Sequence, residues 1–361
     1  MNQIYIDGLF FNASGIGRYY ESILKELLKR KFQIISCVPK KYKNQFLEKF
    51  GKYENMEVIF VDYEKFSLKS LLKHHKILNQ LKKRADLFFF PHINIPLWFR
   101  DEKIVLTIHD FIPFTSYWGR NYIKRLFIKF LYTHSIKKAK RVISISNQTK
   151  KDLFTHFNIK KVDVIYNFID EKFFEYKPKD RIIKDKYILY VGNRKSHKNL
   201  KNLILAFNEI KKNIPHKLVI VGKKDKEYDF VDKIIDENSL KDKIIQIDYA
   251  SDEEIMSLYY YAELFVFPSF YEGFGYPPLE ALALDTPVIA SNIEILKEIL
   301  GEKIACFDPY SYTDIAKKIK DILQNNEKKE ELLQIGKKRL SNFRAEVIMP
   351  KYIEVFKKAI K

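Results

Sequence analysis

The sequence predicts an α/β fold made of two doubly wound parallel units in tandem. Three observations lead there. Short apolar runs alternate with longer amphipathic stretches, the pattern of parallel strands covered on both faces by helices. The alternation extends through 361 residues, enough for two full cores. One polar, charged tract splits the series into two sets.

In the first set, "QIYID", "QIISCVP", "EVIFV", "DLFFFP", "KIVLTIHD", "RVISIS" and "VDVIYN" read as strands, and "IGRYYESILKELLKRK" and "NQTKKDLFTHF" as helices. The charged tract "FIDEKFFEYKPKDRIIKDK" is the linker candidate. In the second set, "YILYVG", "KLVIVG", "KIIQID", "LFVFP" and "PVIAS" read as strands, with helices at "LKNLILAFNEIKKN", "SDEEIMSLYYYA" and "LEALAL". The expected domains are 1–170 and 187–345, joined by a linker at 171–186. A C-terminal helix at 346–361 is expected to cross back to the first domain. No repeat and no low-complexity tract interrupts this scheme.

Composition narrows the function. A hydrophobic content of 46% and an aromatic content of 15% fit a globular chain. The first twenty residues lack the pattern of a secretory signal, and no run reaches the roughly 18 apolar residues of a membrane span. Cys37 and Cys306 suggest neither a disulfide framework nor a metal site, so a reducing cytoplasm is expected. The net charge is +19, and it is uneven: residues 1–170 hold 31 Lys and Arg against 15 Asp and Glu, a net of +16. The rest holds 34 against 31, a net of +3. An anionic partner of the first half is implied: membrane, nucleic acid or anionic substrate.

The stretch "SFYEGFGYPPLEALALDTPVIAS" (269–291) carries the most chemistry. Gly273 and Gly275 permit close backbone approach, and Pro277 and Pro278 suit a helix start. A helix N-terminus after a glycine loop offers N–H groups and a positive dipole end to phosphate. The carboxylates of Glu272 and Glu280 repel phosphate but accept hydroxyls. The combination suits a ligand with a charged middle and hydroxyl-rich ends, as in a nucleotide sugar.

This spacing, Glu272–x7–Glu280 with "EGFG" at one end and "P-x-L-E-A" at the other, resembles the signature of the retaining GT-B glycosyltransferases of family 4 (glycosyl transferases group 1, mannosyltransferase-like). The resemblance covers the whole chain. "DGLFFNASGIGRYYESILKEL", "VLTIHD", "SISNQTKKDL", "VIYNFID", "YVGNRKSHKNL", "LVIVG" and "SDEEIMSLYYYAELFVFPS" are similar to that family's landmarks in order. It implies two Rossmann-like domains with a cleft between them. It also implies that Glu272 contacts the donor hexose and Glu280 the ribose hydroxyls. The N–H groups of Phe274, Gly275 and Tyr276 would meet the hexose and diphosphate.

After the strand "YILYVG", Asn193, Arg194, Lys195, His197 and Lys198 gather positive charge where a leaving diphosphate needs it. Lys198 matches the family's Lys. Asn193 stands where the family usually has Arg, so either Arg194 or Lys195 is left to supply the second charge. Gly15 and Gly17 lie in a loop that the family places beside the diphosphate, with Ser14 as helix N-cap. His109, ending "VLTIHD", is by itself an ordinary strand-end histidine; the resemblance makes it a donor-sugar contact. His92 is a weaker candidate on the acceptor side. The stretch 120–141 holds eight Lys and Arg among large apolar residues and, if helical, resembles a membrane-surface element. Lys124, Arg125, Lys129, Lys137 and Lys138 are its expected membrane-facing cations.

No D-x-D and no metal-ligand spacing occurs, so transfer without a metal or other cofactor is expected, the nucleotide sugar being a substrate. The reading is a retaining hexosyltransferase using a nucleotide sugar, GDP-mannose favoured. A glycan or lipid-linked glycan is its acceptor, in cell-surface polysaccharide synthesis such as that of lipopolysaccharide. It would act at the inner face of the cell membrane. Two rivals are a nucleotide-sugar epimerase of the same fold, disfavoured by the two-glutamate spacing, and a basic nucleic-acid-binding protein. The second lacks the recognisable motifs of that class.

Overall fold

The computed structural model describes residues 3–118, 121–178, 181–224 and 230–361. Two compact units divide the chain: Met1–Phe168 with Ala345–Lys361, and Ile169–Arg344. In the first unit the strands are β1 (Gln3–Asp7), β2 (Gln33–Pro39), β3 (Met56–Val61), β4 (Leu87–Phe90), β5 (Ile104–Ile108), β6 (Arg141–Ser144) and β7 (Asp163–Val164). They form one sheet in the order β3-β2-β1-β4-β5-β6-β7, and every pairing is parallel. In the second unit they are β8 (Tyr187–Val191), β9 (Lys217–Val221), β10 (Ile244–Ile247), β11 (Leu264–Phe267), β12 (Val288–Ser291) and β13 (Ala305–Phe307). Their order is β10-β9-β8-β11-β12-β13, again all parallel.

The strands are predominantly apolar, as parallel sheets with helices on their faces require. Phe88, Phe89 and Phe90 in β4, and Phe265, Val266 and Phe267 in β11, have no solvent exposure. Each sheet reverses its winding next to its first strand, between β1 and β4 and between β8 and β11. In such sheets the loops at that reversal open the crevice where ligands bind.

The C-terminal helix, Ala345–Ile360, belongs to the first unit. Its Tyr352 hydroxyl lies 2.9 Å from that of Tyr19, which also bonds Thr107 Oγ1 at 2.8 Å. Phe356 packs on Phe89 with ring centroids 5.0 Å apart. One buried hydroxyl chain and an aromatic contact thus join the C-terminal helix to the helix Ser14–Lys29 and to β5 and β4.

Two local expectations are corrected. The charged tract 171–186 falls within the second unit rather than between the units. Its charges find partners there: Glu171 pairs with Arg344 at 3.0 Å and Lys172 with Asp252 at 2.6 Å. Ser14 is the first residue of the helix Ser14–Lys29, and Ala13 occupies the cap position without a side-chain bond.

Candidate functional site

In the second unit the loops that leave β8 and β11 are tied together. The turn Ser196–Lys198 ends at Asn199, which adopts a left-handed conformation (φ 58°). The buried Asn199 Nδ2 donates to the carbonyls of Pro268 at 2.9 Å and Pro309 at 2.7 Å. The Phe270 N–H donates to the His197 carbonyl at 2.8 Å. On this frame Lys198 Nζ lies 2.6 Å from Glu272 Oε1, with side chains only 14% and 10% exposed. The ammonium also stands 5.5 Å from the centre of the Phe267 ring. His197 carries no charge at neutral pH: burial first, then Lys198 and Lys195, lower it to about 3.

Past Glu272, Gly275 takes φ 103°, a left-handed conformation that costs glycine nothing, and begins the helix Tyr276–Ala283. A Cβ there would lie 3.1 Å from Leu296 Cδ2. The first turn holds Pro277 and Pro278 and no acid, so no carboxylate offsets its dipole end. Phe274 is buried edge-on against Phe343 and Tyr276, so its side chain anchors the loop and only its backbone can serve a ligand. Glu280, one turn into the helix, is 2% exposed and accepts a hydrogen bond from the Tyr259 hydroxyl at 3.2 Å.

Arg194 and Lys195 separate cleanly. The Arg194 guanidinium is buried; it donates to the Gly222 carbonyl at 3.1 Å, Gln246 Oε1 at 2.6 Å and Asp248 Oδ1 at 2.9 Å. It braces the ends of β9 and β10, so the expectation that it could serve the ligand as the second cation is corrected. Lys195 is exposed. Asn193, also exposed, accepts from the Lys195 N–H through Oδ1 at 3.3 Å.

In the first unit the loop after β1 leads into Ser14–Lys29. A Cβ on Gly17 would lie 2.8 Å from the Phe10 carbonyl, whereas one on Gly15 would meet nothing within 4 Å. Gly17 is thus needed by the turn, and Gly15 leaves space at the helix start. His109 follows β5. Its Nε2 donates to the Pro91 carbonyl at 2.6 Å, and its ring meets Tyr19 edge-on at 4.7 Å. Burial lowers its basicity to about 4, against the pull of that carbonyl. The ring is therefore neutral, with its proton on Nε2 and an acceptor lone pair on Nδ1.

His92 is fixed by the fold. Nε2 faces Asp7 Oδ1 at 3.0 Å and Nδ1 accepts the Asn94 N–H at 3.0 Å, so its expected acceptor role has no ring nitrogen left to act through. The buried Asp7 also faces His74 Nε2 at 3.3 Å and accepts the Leu9 N–H at 3.0 Å. Burial alone would raise the Asp7 carboxyl; His92 and His74 offset this and hold it well below the ordinary carboxylate range. Sequence reasoning missed Asp7 and Asn199. An acid closing the apolar run "QIYID" and an asparagine directly before "LKNLIL" were the available signals. Among the described residues no three His, Cys, Asp or Glu side chains gather as a metal site.

The sequence model of glycosyl transferases group 1 matches residues 172–339, and that of glycosyltransferase family 4 matches residues 13–173. The chain is 32% identical over 235 residues to the O-antigen chain mannosyltransferase RfbU of Salmonella typhimurium, covering 64% of each chain. It is 28% identical over 257 residues to the O-antigen chain mannosyltransferase B of Escherichia coli, covering 67% of this chain and 65% of that one. The match thus spans just under two thirds of either relative's length. The fold is that of the GT-B enzymes: the sucrose-phosphate synthase of Thermosynechococcus elongatus superposes with a TM-score of 0.81 at 17% identity, covering 99% of both chains.

Proposed function

Because this chain belongs to the glycosyl transferases group 1, family 4, in both halves of its sequence, we propose that it transfers a hexose from a nucleotide sugar to a glycan or lipid-linked glycan. GDP-mannose is the favoured donor, and the setting is cell-surface polysaccharide synthesis on the cytoplasmic side of the membrane. The relatives named as O-antigen mannosyltransferases support the choice of sugar and pathway class. The observation that carries the reading is the Lys198–Glu272 pair beside an acid-free helix start, where the second sheet reverses its winding.

The roles follow from the chemistry of each group. An ammonium has three N–H donors. Lys198 can keep one on Glu272 and turn the others to the donor diphosphate. There it offsets the charge that grows as the sugar–phosphate bond breaks, together with the N-terminus of Tyr276–Ala283 and the exposed Lys195. Glu272 accepts from hydroxyls of the hexose; Glu280, fixed by Tyr259, faces the ribose. The neutral His109 accepts a sugar hydroxyl at Nδ1 and adds no charge. Transfer proceeds with retention. The acceptor oxygen bonds to the anomeric carbon, the bond from that carbon to the diphosphate breaks, and the acceptor proton passes to a phosphate oxygen of the leaving group. Metal is not required, since Lys198 and the helix dipole supply the countercharge.

The test is thermal unfolding of the whole chain with GDP-, UDP- and ADP-sugars in EDTA, followed by anomeric analysis of the product by NMR. GDP-mannose should raise the melting temperature most, and transfer should give the α-linked product in EDTA. Stabilisation by no nucleotide sugar, activity restored only by Mg²⁺ or Mn²⁺, or isomerisation of the donor without acceptor would each overturn a named part of the reading.

A further inference from the structure

One helix of the first unit leaves a row of large apolar side chains in solvent. In Tyr122–Lys138, Tyr122 is 71% exposed, Ile123 79%, Leu126 49%, Phe127 43% and Phe130 50%. Leu131, Tyr132, Ser135 and Ile136 of the same helix are buried in the unit. Positions 123, 126, 127 and 130 recur at three- and four-residue spacing and so share a face. A soluble helix ordinarily presents polar groups there; a contiguous apolar face marks an interaction surface.

The face continues into positive charge. The His134 ring stacks on Phe130 at 5.9 Å. Beside it a cavity of about 390 Å³ is lined by Arg100, Asp101, His134, Lys137 and Lys138. Arg100 and Lys137 are exposed. Asp101 Oδ1 accepts the Lys103 N–H at 2.9 Å. Lys124 and Lys129 stand exposed along the helix, placed to reach past the apolar row. Two of the expected cations are used otherwise. Arg125 Nη2 donates to the carbonyls of Thr115 at 2.6 Å and Trp118 at 2.7 Å, and Lys138 Nζ to those of Pro96 at 3.2 Å and Leu97 at 2.6 Å. They hold loops in place, and the cations available to a partner are Lys124, Lys129, Lys137 and Arg100.

We propose that this helix lies in the surface of an anionic bilayer, its Ile123–Leu126–Phe127–Phe130 face entering the acyl boundary and the Arg100–His134–Lys137 cavity receiving a lipid headgroup phosphate. Charge selects this occupant. A second copy would set one strongly basic half against another, and a nucleic acid offers the apolar row nothing to cover it. An anionic bilayer satisfies both features at once. Among the described residues no helix is long and apolar enough to cross a membrane, so attachment is at the surface. The proposal does not depend on the transfer reaction.

The test uses the full chain and vesicles of phosphatidylcholine alone or mixed with phosphatidylglycerol, read by co-sedimentation. The wild type should pellet with the anionic vesicles. Ile123→Ser, Phe127→Ser and Phe130→Ser combined should weaken that binding by at least roughly tenfold, as lost apolar insertion requires. Arg100→Gln with Lys137→Gln should weaken it severalfold on anionic vesicles only. Phe127→Trp should shift its emission to the blue on adding anionic vesicles. Unchanged melting temperatures establish that the variants fold. Three outcomes overturn the proposal: a wild type that ignores anionic vesicles at low salt, a triple serine variant that binds as well as wild type, or a triple variant that only converts a dimer to a monomer.

Discussion

The ammonium of Lys198 and the carboxylate of Glu272 stand 2.6 Å apart, 74 residues distant in sequence, on loops that leave two neighbouring strands. Each is largely withdrawn from water, and each offsets the charge of the other. In the proposed function the ammonium is the countercharge for a diphosphate and the carboxylate the acceptor for hydroxyls, and mutation separates the two.

Glu272→Ala should abolish transfer while leaving nucleotide diphosphate affinity equal to wild type or higher, because it frees the Lys198 ammonium. Lys198→Ala should weaken diphosphate binding by about 1.5–3 kcal/mol, the scale of a charged hydrogen bond. Calorimetry on both variants, with a transfer assay, distinguishes these roles. Equal losses of affinity in the two would show that the pair serves only the fold.

Asn199 should prove a positioning residue. Asn199→Ala leaves the buried carbonyls of Pro268 and Pro309 without its amide and places alanine in a left-handed backbone. A loss of about 2–4 kcal/mol is expected from the two effects. Asn199→Gly removes only the second penalty and should be the milder change in urea unfolding. Both should weaken diphosphate binding through Lys198.

Arg194 and Lys195 should behave oppositely. Arg194→Lys should destabilise the second unit by about 2–3 kcal/mol, since a compact ammonium lacks the planar spread by which the guanidinium reaches acceptors at the ends of β9 and β10 together. Lys195→Ala should leave unfolding unchanged and weaken diphosphate binding. A stable Arg194→Lys variant with impaired binding would return the second charge to Arg194.

Stability should fall with acid. His109 and His197 are held by burial at about 4 and about 3, below the ordinary histidine value near 6.5. The folded state thus binds fewer protons than the unfolded state between those limits, and stability rises with pH. The melting temperature should be level above about pH 7, decline as pH falls below 6.5, and flatten for each group once pH passes its folded value. His109→Gln should shallow the part of the decline between about pH 6.5 and 4. A melting temperature unchanged from pH 7 to 4 would contradict it.

The strands were legible because a buried strand announces itself locally: every strand but the three-residue β13 lies in an apolar run readable as such. The glycine-proline helix start and the two glutamates were legible for the same reason, their chemistry being contained in one loop. Partners across the fold were not. Nothing near Arg194 in sequence shows that Gly222, Gln246 and Asp248 would enclose it, nor that Asn199 would clasp Pro268 and Pro309. In Tyr122–Lys138 the sequence announced a basic, apolar-rich helix, but apolar residues occur nearly all round it. Only packing decided that Leu131 and Ile136 turn inward while Phe127 and Phe130 stay in water. Periodicity records how much of an element is buried; which side is buried, and which charge is neutralised, depends on neighbours that the chain brings near only when the parallel sheets close.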